Sequence, residues 1–318
     1  MAPKALEYNA TLVQRIDLTD QLAIFRIQPD QEPARPWFTP GQYCVLGLNN
    51  EEKPELGSVR RSMSIASAPT QDGPVEFYIR FVSKPESENP LTHLLWKRKD
   101  GDRVYMRPVA AGVFTVKDCV GEADPRFRVC VAAGTGSAPF VSMVRDEVLK
   151  NRDANLSKYV ILHGASYPSD LGHRDELQEL GIKNKLNYWG TVSRPKEALS
   201  WTGDTGRVES YFEPARLEDL EQRLRLPPGQ FLPSRAVIFI CGLQGTIGST
   251  IINLLDRGFV PDHKRMREAL GVPSELPATL FFEQYDTEPV IDIKTPAVIE
   301  PLKARMMKAI EAGLATRP

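Results

Sequence analysis

Cysteine and histidine are scarce in this sequence, and both are scattered along it. Each occurs four times in 318 residues, without a CxxC pair or any spacing that would hold zinc or an iron–sulfur cluster. We therefore expect no bound metal, and free thiols in a reducing cytosol. The cysteines are Cys44, Cys119, Cys130 and Cys241.

The sequence also lacks long apolar runs and an excess of charge of either sign. No stretch approaches the roughly 18 apolar residues of a membrane span, and the first residues lack the apolar segment of a signal peptide. The net charge is −1, and no basic run is long enough to follow a nucleic-acid backbone. These absences predict a cytoplasmic protein with no membrane span and no nucleic-acid partner.

Two hydrophobic patterns divide the chain. Residues 8–118 contain short strand-like runs broken by turn residues, which is typical of an antiparallel barrel or sandwich. From residue 126 the pattern changes to repeated strand, turn and helix, which predicts a parallel sheet with helices on both faces. We therefore expect a β-barrel domain over residues 1–120, an α/β nucleotide-binding domain over 126–290 and a helical C-terminal extension over 291–318.

A candidate phosphate-binding turn follows the first predicted strand of the second domain. Gly134, Thr135 and Gly136 lie between that strand and a helix, where free backbone N–H groups and the helix dipole can bind a pyrophosphate. A glycine would permit the close approach of phosphate oxygens. A tight turn without a ligand is the alternative, because the spacing is not the usual GxGxxG.

Two further strand ends of the second domain carry polar or reactive groups. Ser193 and Arg194 end the third predicted strand, and Arg207 follows Arg194 by 13 residues. Two guanidinium groups there could bind an adenosine 2′-phosphate. Cys241 ends the fourth strand, where a side chain can face a reactive ring. The alternatives are solvated surface arginines and a small core cysteine.

The first domain offers a second candidate site. The segment from Arg61 to Ser64 combines a cation with closely spaced hydroxyl groups on one strand. Arg61 could neutralise a pyrophosphate, and Ser64 could hydrogen-bond a flavin nitrogen. A helix predicted to begin at Pro90-Leu91-Thr92 offers further free N–H groups. The alternatives are an ordinary strand with polar residues facing water, and a Thr92 that only caps the helix.

The order of these motifs resembles the ferredoxin–NADP reductase family over roughly residues 8–290. The matching residues are Arg61, Ser62, Met63 and Ser64 for the family's Arg-x-Tyr-Ser; Tyr78, Ile79 and Arg80 for a second flavin-contacting strand; Pro90, Leu91 and Thr92 for a phosphate-binding helix start; Gly134, Thr135 and Gly136 for GTGxAPF; Ser193 and Arg194 for the VSRE that reads the 2′-phosphate; Cys241, Gly242, Leu243 and Gln244 for CGLxG; and Glu283 and Tyr285 for the closing Val-Glu-x-Tyr.

This resemblance implies an FAD-binding antiparallel β-barrel followed by an NADP-binding α/β domain with a parallel sheet. FAD and NADP(H) would be the cofactors, with hydride passing between nicotinamide and flavin while Ser64 and Cys241 position the rings. The resemblance also implies that Tyr285 stacks over the flavin and that Glu283 assists proton movement. Because no cluster motif lies in the chain, the implied electron carrier is a separate protein, ferredoxin or flavodoxin.

The sequence departs from the family pattern in two places. Met63 stands where the family has tyrosine, and 33 residues follow Tyr285, whereas the family's aromatic residue lies at or near the C-terminus. Two alternatives follow. One is an NADH-dependent reductase component of an oxygenase system, against which Arg194 and Arg207 argue. The other is a non-catalytic nucleotide-binding protein on the same fold.

A basic stretch in the first domain is a candidate docking surface for the carrier. It consists of Lys97, Arg98 and Lys99. Acidic carrier proteins are steered by positive patches, so these cations would raise the rate of encounter.

Overall fold

The computed structural model describes residues 5–197 and 200–316. These residues divide into two compact units. The first unit comprises the described residues up to Glu122 together with Ala138–Ala154, and the second comprises Ala123–Ser137 and the described residues from Asn155 onward. Each unit has its own hydrophobic core.

The first unit is built on a six-stranded antiparallel sheet with the strand order β4-β3-β6-β1-β2-β5. A bridge between Ile65 and Phe77, and a hydrogen bond of 2.8 Å from the amide of Ala66 to the carbonyl of Glu76, join its two outermost strands. The sheet therefore closes into a barrel without an open edge between these strands. The strands are β1 (Ala10–Thr19), β2 (Leu22–Pro29), β3 (Tyr43–Asn49), β4 (Ser58–Ser64), β5 (Val75–Arg80) and β6 (Arg103–Met106).

Alternating apolar side chains fill the barrel, as expected for strands with one face turned inward. The largest of them are the fully buried rings of Phe25 and Phe77. The α-helices among the described residues of this unit are α1 (Leu91–Leu95), α2 (Val116–Cys119) and α3 (Ala138–Lys150). Helix α3 groups with the barrel although the chain enters it from a strand of the second unit.

Buried charges attach α3 to the barrel. Glu76 on β5 is only 2% exposed, and its carboxylate pairs with Arg145 of α3 at 2.7 Å and with Arg26 of β2 at 3.0 Å. Ser142 also donates a hydrogen bond of 2.7 Å to the carbonyl of Ser67. A carboxylate this deeply buried needs such partners, because an isolated charge would be strongly destabilising.

The second unit is a six-stranded parallel sheet with the order β10-β9-β8-β7-β11-β12. Its strands are β7 (Phe127–Ala133), β8 (Tyr159–Ala165), β9 (Asn187–Val192), β10 (Asp204–Thr205), β11 (Ala236–Gly242) and β12 (Leu280–Gln284), and its helices are α4 (Arg174–Asn184), α5 (Pro214–Arg223), α6 (Gln244–Leu254), α7 (Lys264–Ala269) and α8 (Pro296–Glu311). The strand order reverses between β7 and β11, and ligands of such sheets bind beyond the carboxyl ends of the strands at this point.

The predicted fold class, an antiparallel β unit followed by a parallel α/β unit, is confirmed by the two sheets. The chain after Tyr285 packs on the second unit through α8, where Met306 is fully buried. Arg305 of α8 pairs with Asp256 at 2.7 Å.

All four cysteines are free thiols. Within the described residues, no cluster of three or more histidine, cysteine or acidic side chains could hold a metal ion. None of the described helices is both long and apolar enough to cross a membrane.

Candidate active site

The turn after β7, residues Gly134–Ser137, lies against the end of β11, and we call it the phosphate turn. Gly134 has a φ of +55°, a left-handed conformation that glycine adopts without strain. A Cβ added at Gly136 would lie 2.0 Å from the carbonyl oxygen of Cys241, so only glycine permits this packing. The structure thus brings the predicted turn and the predicted cysteine together at the switch point of the sheet.

One polar atom in the phosphate turn lacks a protein partner. The hydroxyl of Ser137 is fully buried, and it makes no hydrogen bond to the part of the chain that the structure describes. Buried hydroxyl groups are normally hydrogen-bonded. A polar ligand bound at the turn would supply the hydrogen-bond partner that the Ser137 hydroxyl lacks.

His163 on β8 holds the phosphate turn, a role that the sequence did not predict. Its Nε2 lies 2.9 Å from the carbonyl oxygen of Gly134, and its Nδ1 lies 3.4 Å from the hydroxyl of Tyr188. Because a carbonyl can only accept, Nε2 carries the proton and donates it. Burial lowers the pKa of His163 to about 4, so the ring is neutral at neutral pH. A histidine within the apolar run of β8 was the available signal.

Cys241 and Glu283 are neighbours across β11 and β12. The two residues are paired in the ladder, and Cys241 Sγ lies 4.0 Å from Glu283 Oε2. Burial, and next the negative charge of Glu283, raise the pKa of the Cys241 thiol well above its usual range. The thiol is therefore protonated at neutral pH and donates towards the carboxylate.

The chain after β12 lies over the same strand ends. The amide of Tyr285 donates to the carbonyl of Gly242 at 3.1 Å, and its hydroxyl donates to the carbonyl of Thr135 at 3.5 Å. Asp286 accepts a hydrogen bond of 3.0 Å from the amide of Gln244 at the start of α6. Leu243, just before that helix, is 58% exposed. Asp286 was not predicted to act here.

Ser193 and Arg194 follow β9, and Arg207 follows β10, a short strand that the sequence did not predict. β9 and β10 pair in parallel, with Val192 opposite Thr205, so Ser193 and Gly206 leave the sheet at the same edge. The two arginine side chains have different partners. Arg194 donates to the hydroxyl of Tyr167 at 2.9 Å, whereas Arg207 pairs with Glu209.

In the first unit, the segment Arg61 to Ser64 lies on β4, which pairs with β3. Arg61 and Ser62 are exposed, Ser64 is 7% exposed, and Met63 packs partly buried against the barrel core. Met63, which the resemblance aligns with the family's tyrosine, is thus in contact with the barrel core. The segment presents a guanidinium group and hydroxyl groups within four residues.

The other first-unit candidates are mostly buried. Tyr78 and Ile79 on β5 are 4% and 3% exposed, and only Arg80 of that triplet is exposed. Pro90 precedes α1 in the N-cap position without a side-chain cap. Leu91 is buried, and the hydroxyl of Thr92 accepts from the amide of Val82 at 3.3 Å. Thr92 therefore does not cap its own helix.

Comparisons with known proteins assign the chain to a family. Residues 130–250 match the family model of the oxidoreductase NAD-binding domain. Ferredoxin–NADP reductase B of Sorangium cellulosum is 32% identical over 232 residues, which is 72% of this chain and 80% of that protein. The chain belongs to the ferredoxin–NADP reductase family. It is thus a flavin- and NAD(P)-dependent electron-transfer oxidoreductase.

Relatives within the ferredoxin–NADP reductase family differ in their names. The phenol hydroxylase P5 protein of Acinetobacter pittii is 28% identical over 213 residues, which is 65% of this chain and 54% of that protein. Among solved structures, a ferredoxin NADP+ reductase from Neisseria gonorrhoeae with bound FAD and NADP has a TM-score of 0.67 at 21% identity, covering 87% of this chain and 97% of that one. Its fold is shared with the present chain.

Proposed function

We propose that the protein is a ferredoxin–NADP reductase that passes electrons between NADPH and a one-electron carrier protein, ferredoxin or flavodoxin, through bound FAD. The observation that carries the proposal is the contact of Gly136 with the carbonyl of Cys241. This contact packs the phosphate turn against the carboxyl end of β11, where the strand order reverses. In sheets of this kind a dinucleotide binds at that position.

The residues of the first unit fit a flavin dinucleotide. Arg61 and Arg80 are exposed cations on two strands, and a diphosphate is bound best by guanidinium groups. Ser62 and Ser64 would supply hydroxyl hydrogen bonds, and the backbone of Leu91-Thr92 would supply N–H groups. Met63 would cover one face of the ring with a polarisable thioether, which is a favourable aromatic neighbour.

The residues of the second unit fit a nicotinamide dinucleotide. The buried, unpartnered hydroxyl of Ser137 and the backbone N–H groups of the phosphate turn would bind its pyrophosphate. Ser193, Arg194 and Arg207 would bind the 2′-phosphate. When bound, the flavin accepts a hydride from the nicotinamide and releases electrons singly.

The chain's own contribution to the reaction is orientation and proton control. The neutral Cys241 thiol keeps its proton on Sγ and adds no charge beside the reactive ring. Glu283 accepts that hydrogen bond and is the acidic group available to exchange a proton. The hydroxyl of Tyr285 donates to the carbonyl of Thr135, so a nicotinamide that displaced this ring would break that hydrogen bond.

A visible spectrum of the purified protein, before and after anaerobic NADPH, tests this proposal. We expect flavin absorbance that NADPH bleaches and that added ferredoxin or flavodoxin restores. A colourless protein that gains no absorbance with FAD would instead support a non-catalytic nucleotide-binding protein. The four free thiols support our further proposal that the enzyme acts in a reducing cytosol.

A second candidate function is the NADH-dependent reductase component of an oxygenase system. The observation that favours it is the pairing of Arg207 with Glu209, which leaves less positive charge for a 2′-phosphate. The similarity to a phenol hydroxylase P5 protein points the same way. Flavin reduction by NADPH and by NADH, in the wild type and in Arg194→Ala, separates the two functions. An NADPH to NADH ratio that Arg194→Ala leaves unchanged supports the second.

A further inference from the structure

The two arginines of the candidate 2′-phosphate site reach acidic groups of this chain in different ways, Arg207 directly and Arg194 through another side chain. Arg207 is 65% exposed, and its Nε pairs with the carboxylate of Glu209, whose side chain is 9% exposed. The buried carboxylate therefore lies beneath the exposed guanidinium group. Two opposite charges in contact cancel much of the field that a phosphate would experience.

Arg194 reaches an acidic group through a phenol. Its Nη1 donates to the hydroxyl of Tyr167 at 2.9 Å, and that hydroxyl donates in turn to Glu197 at 2.7 Å. The Arg194 guanidinium also lies 5.6 Å from the centre of the Tyr167 ring. Only the side chain of Tyr167 separates Glu197 from the guanidinium group of Arg194. At this separation the charge of Glu197 repels an anion bound to Arg194.

We propose that Glu197 and Glu209 set the coenzyme preference by competing with the 2′-phosphate for Arg194 and Arg207, so that the enzyme discriminates only weakly between NADPH and NADH. This inference rests on the proposed function, because it concerns the same coenzyme site. It differs from that function in naming the residues that limit the preference and in predicting that both coenzymes are used.

The expected size of the preference follows from the charges. Two unopposed guanidinium groups on a phosphate would favour NADPH on the order of a hundredfold or more. When NADPH binds, each carboxylate must either leave its position or remain beside the 2′-phosphate. Either outcome weakens the binding of NADPH and leaves the binding of NADH unaffected. We therefore expect a wild-type preference for NADPH of less than about tenfold.

Calorimetry of the holoenzyme with 2′-phospho-AMP and with AMP tests the inference without turnover. The variant is Glu197→Gln, which removes one exposed charge and keeps the hydrogen-bond acceptor. We expect it to bind 2′-phospho-AMP about two- to fivefold more tightly, with unchanged affinity for AMP. The matched control is Glu179→Gln, which removes the same charge from an exposed ion pair with Lys183 on α4 and should change neither affinity.

Three results overturn the inference. They are a wild-type preference for NADPH above tenfold, a Glu197→Gln variant that behaves like the control, and a Glu197→Gln variant that binds 2′-phospho-AMP more weakly. The last result would mean that Glu197 orients Arg194 instead of competing for it.

Glu209→Gln is the second variant, with an expected tightening of about tenfold because its charge is less screened by solvent. Weaker binding of 2′-phospho-AMP by a folded Glu209→Gln variant counts against the inference. Should that variant fail to fold, the Glu197 measurement decides alone. A different result would contradict the proposed function. If neither NADPH nor NADH reduced the flavin, the protein would lack the proposed activity, whatever its affinity for 2′-phospho-AMP.

Discussion

The candidate site of the first unit and that of the second unit are supported by different kinds of interaction. In the first unit, charged side chains support the chain just after Ser64, because Arg145 pairs with the buried Glu76 and donates to the carbonyl of Ala66 at 2.9 Å. In the second unit, the phosphate turn is held by neutral contacts, namely the packing of Gly136 and the hydrogen bond from His163. We therefore expect the stability of the first unit to fall when a charge is removed. We expect the stability of the second unit to fall when volume is added to the phosphate turn or when His163 is protonated.

The largest effect is expected from Arg145→Met in the first unit. The change keeps most of the side chain's volume and removes the nearer of the two arginines that pair with the buried carboxylate of Glu76. We expect the free energy of unfolding of this unit to fall by about 3 kcal/mol, measured by urea denaturation.

The matched control for Arg145→Met is Lys183→Met, which breaks an exposed ion pair and should cost less than about 0.5 kcal/mol. If the two variants lost the same free energy of unfolding, burial of the ion pair would not increase its contribution. The conclusion that buried charges stabilise the first unit would then be wrong.

The second prediction concerns the pH dependence given by His163. The folded state keeps this ring neutral down to a pKa of about 4, whereas the unfolded chain takes up the proton near pH 6.5. The unfolded state thus binds more protons between these values, and stability falls as the pH drops from 6.5 to 4, by up to about 3 kcal/mol.

Two His163 variants separate the charge of the ring from its hydrogen bond. His163→Gln cannot titrate but can still donate to Gly134, so it should flatten the pH dependence of unfolding and keep nucleotide affinity. His163→Phe should flatten it as well and weaken NADP binding about tenfold, because the Gly134 carbonyl loses its donor. If the free energy of unfolding of His163→Gln depended on pH as it does in the wild type, His163 would not be the source of the pH dependence.

The third prediction adds volume to the phosphate turn. Gly136→Ala would place a methyl group against the Cys241 carbonyl, which is backbone and cannot rotate away. We expect a loss of about 2 kcal/mol in stability together with a large loss of NADP affinity, measured by fluorescence titration. Gly73→Ala in the first unit is the control, because nothing lies within 4 Å of its added Cβ, so it introduces backbone strain alone.

The sequence predicted the residues that local pattern determines. Gly134 and Gly136 were predicted because a glycine-rich turn between a strand and a helix has a recognisable order, and the end of β11 was predicted because its apolar run stops at Cys241-Gly242. The parallel pairing of β9 with β10 then brings Ser193 and Arg207 to one edge, as the strand-end rule requires.

The residues that the sequence did not reveal depend on distant pairing. Glu209 and Glu197 follow the two arginines closely, yet nothing in their spacing shows that one is buried under Arg207 while the other is linked through Tyr167. His163 acts on Gly134 from 29 residues away, across β7 and β8. Such contacts arise from the register of the sheet, and local patterns do not encode them.

The smallest effect is expected from the basic stretch of the first unit, which tests whether exposed charges there matter at all. Lys97 pairs with Glu52, and Arg98 pairs with Glu51 at 3.2 Å, so much of its field is cancelled locally. We expect reversal of Lys97, Arg98 and Lys99 to glutamate to change the KM for ferredoxin or flavodoxin by less than about threefold at low salt. A change of more than about tenfold, lost in high salt, would instead identify this stretch as the carrier's docking surface and show that exposed pairs in the first unit are readily opened by a partner.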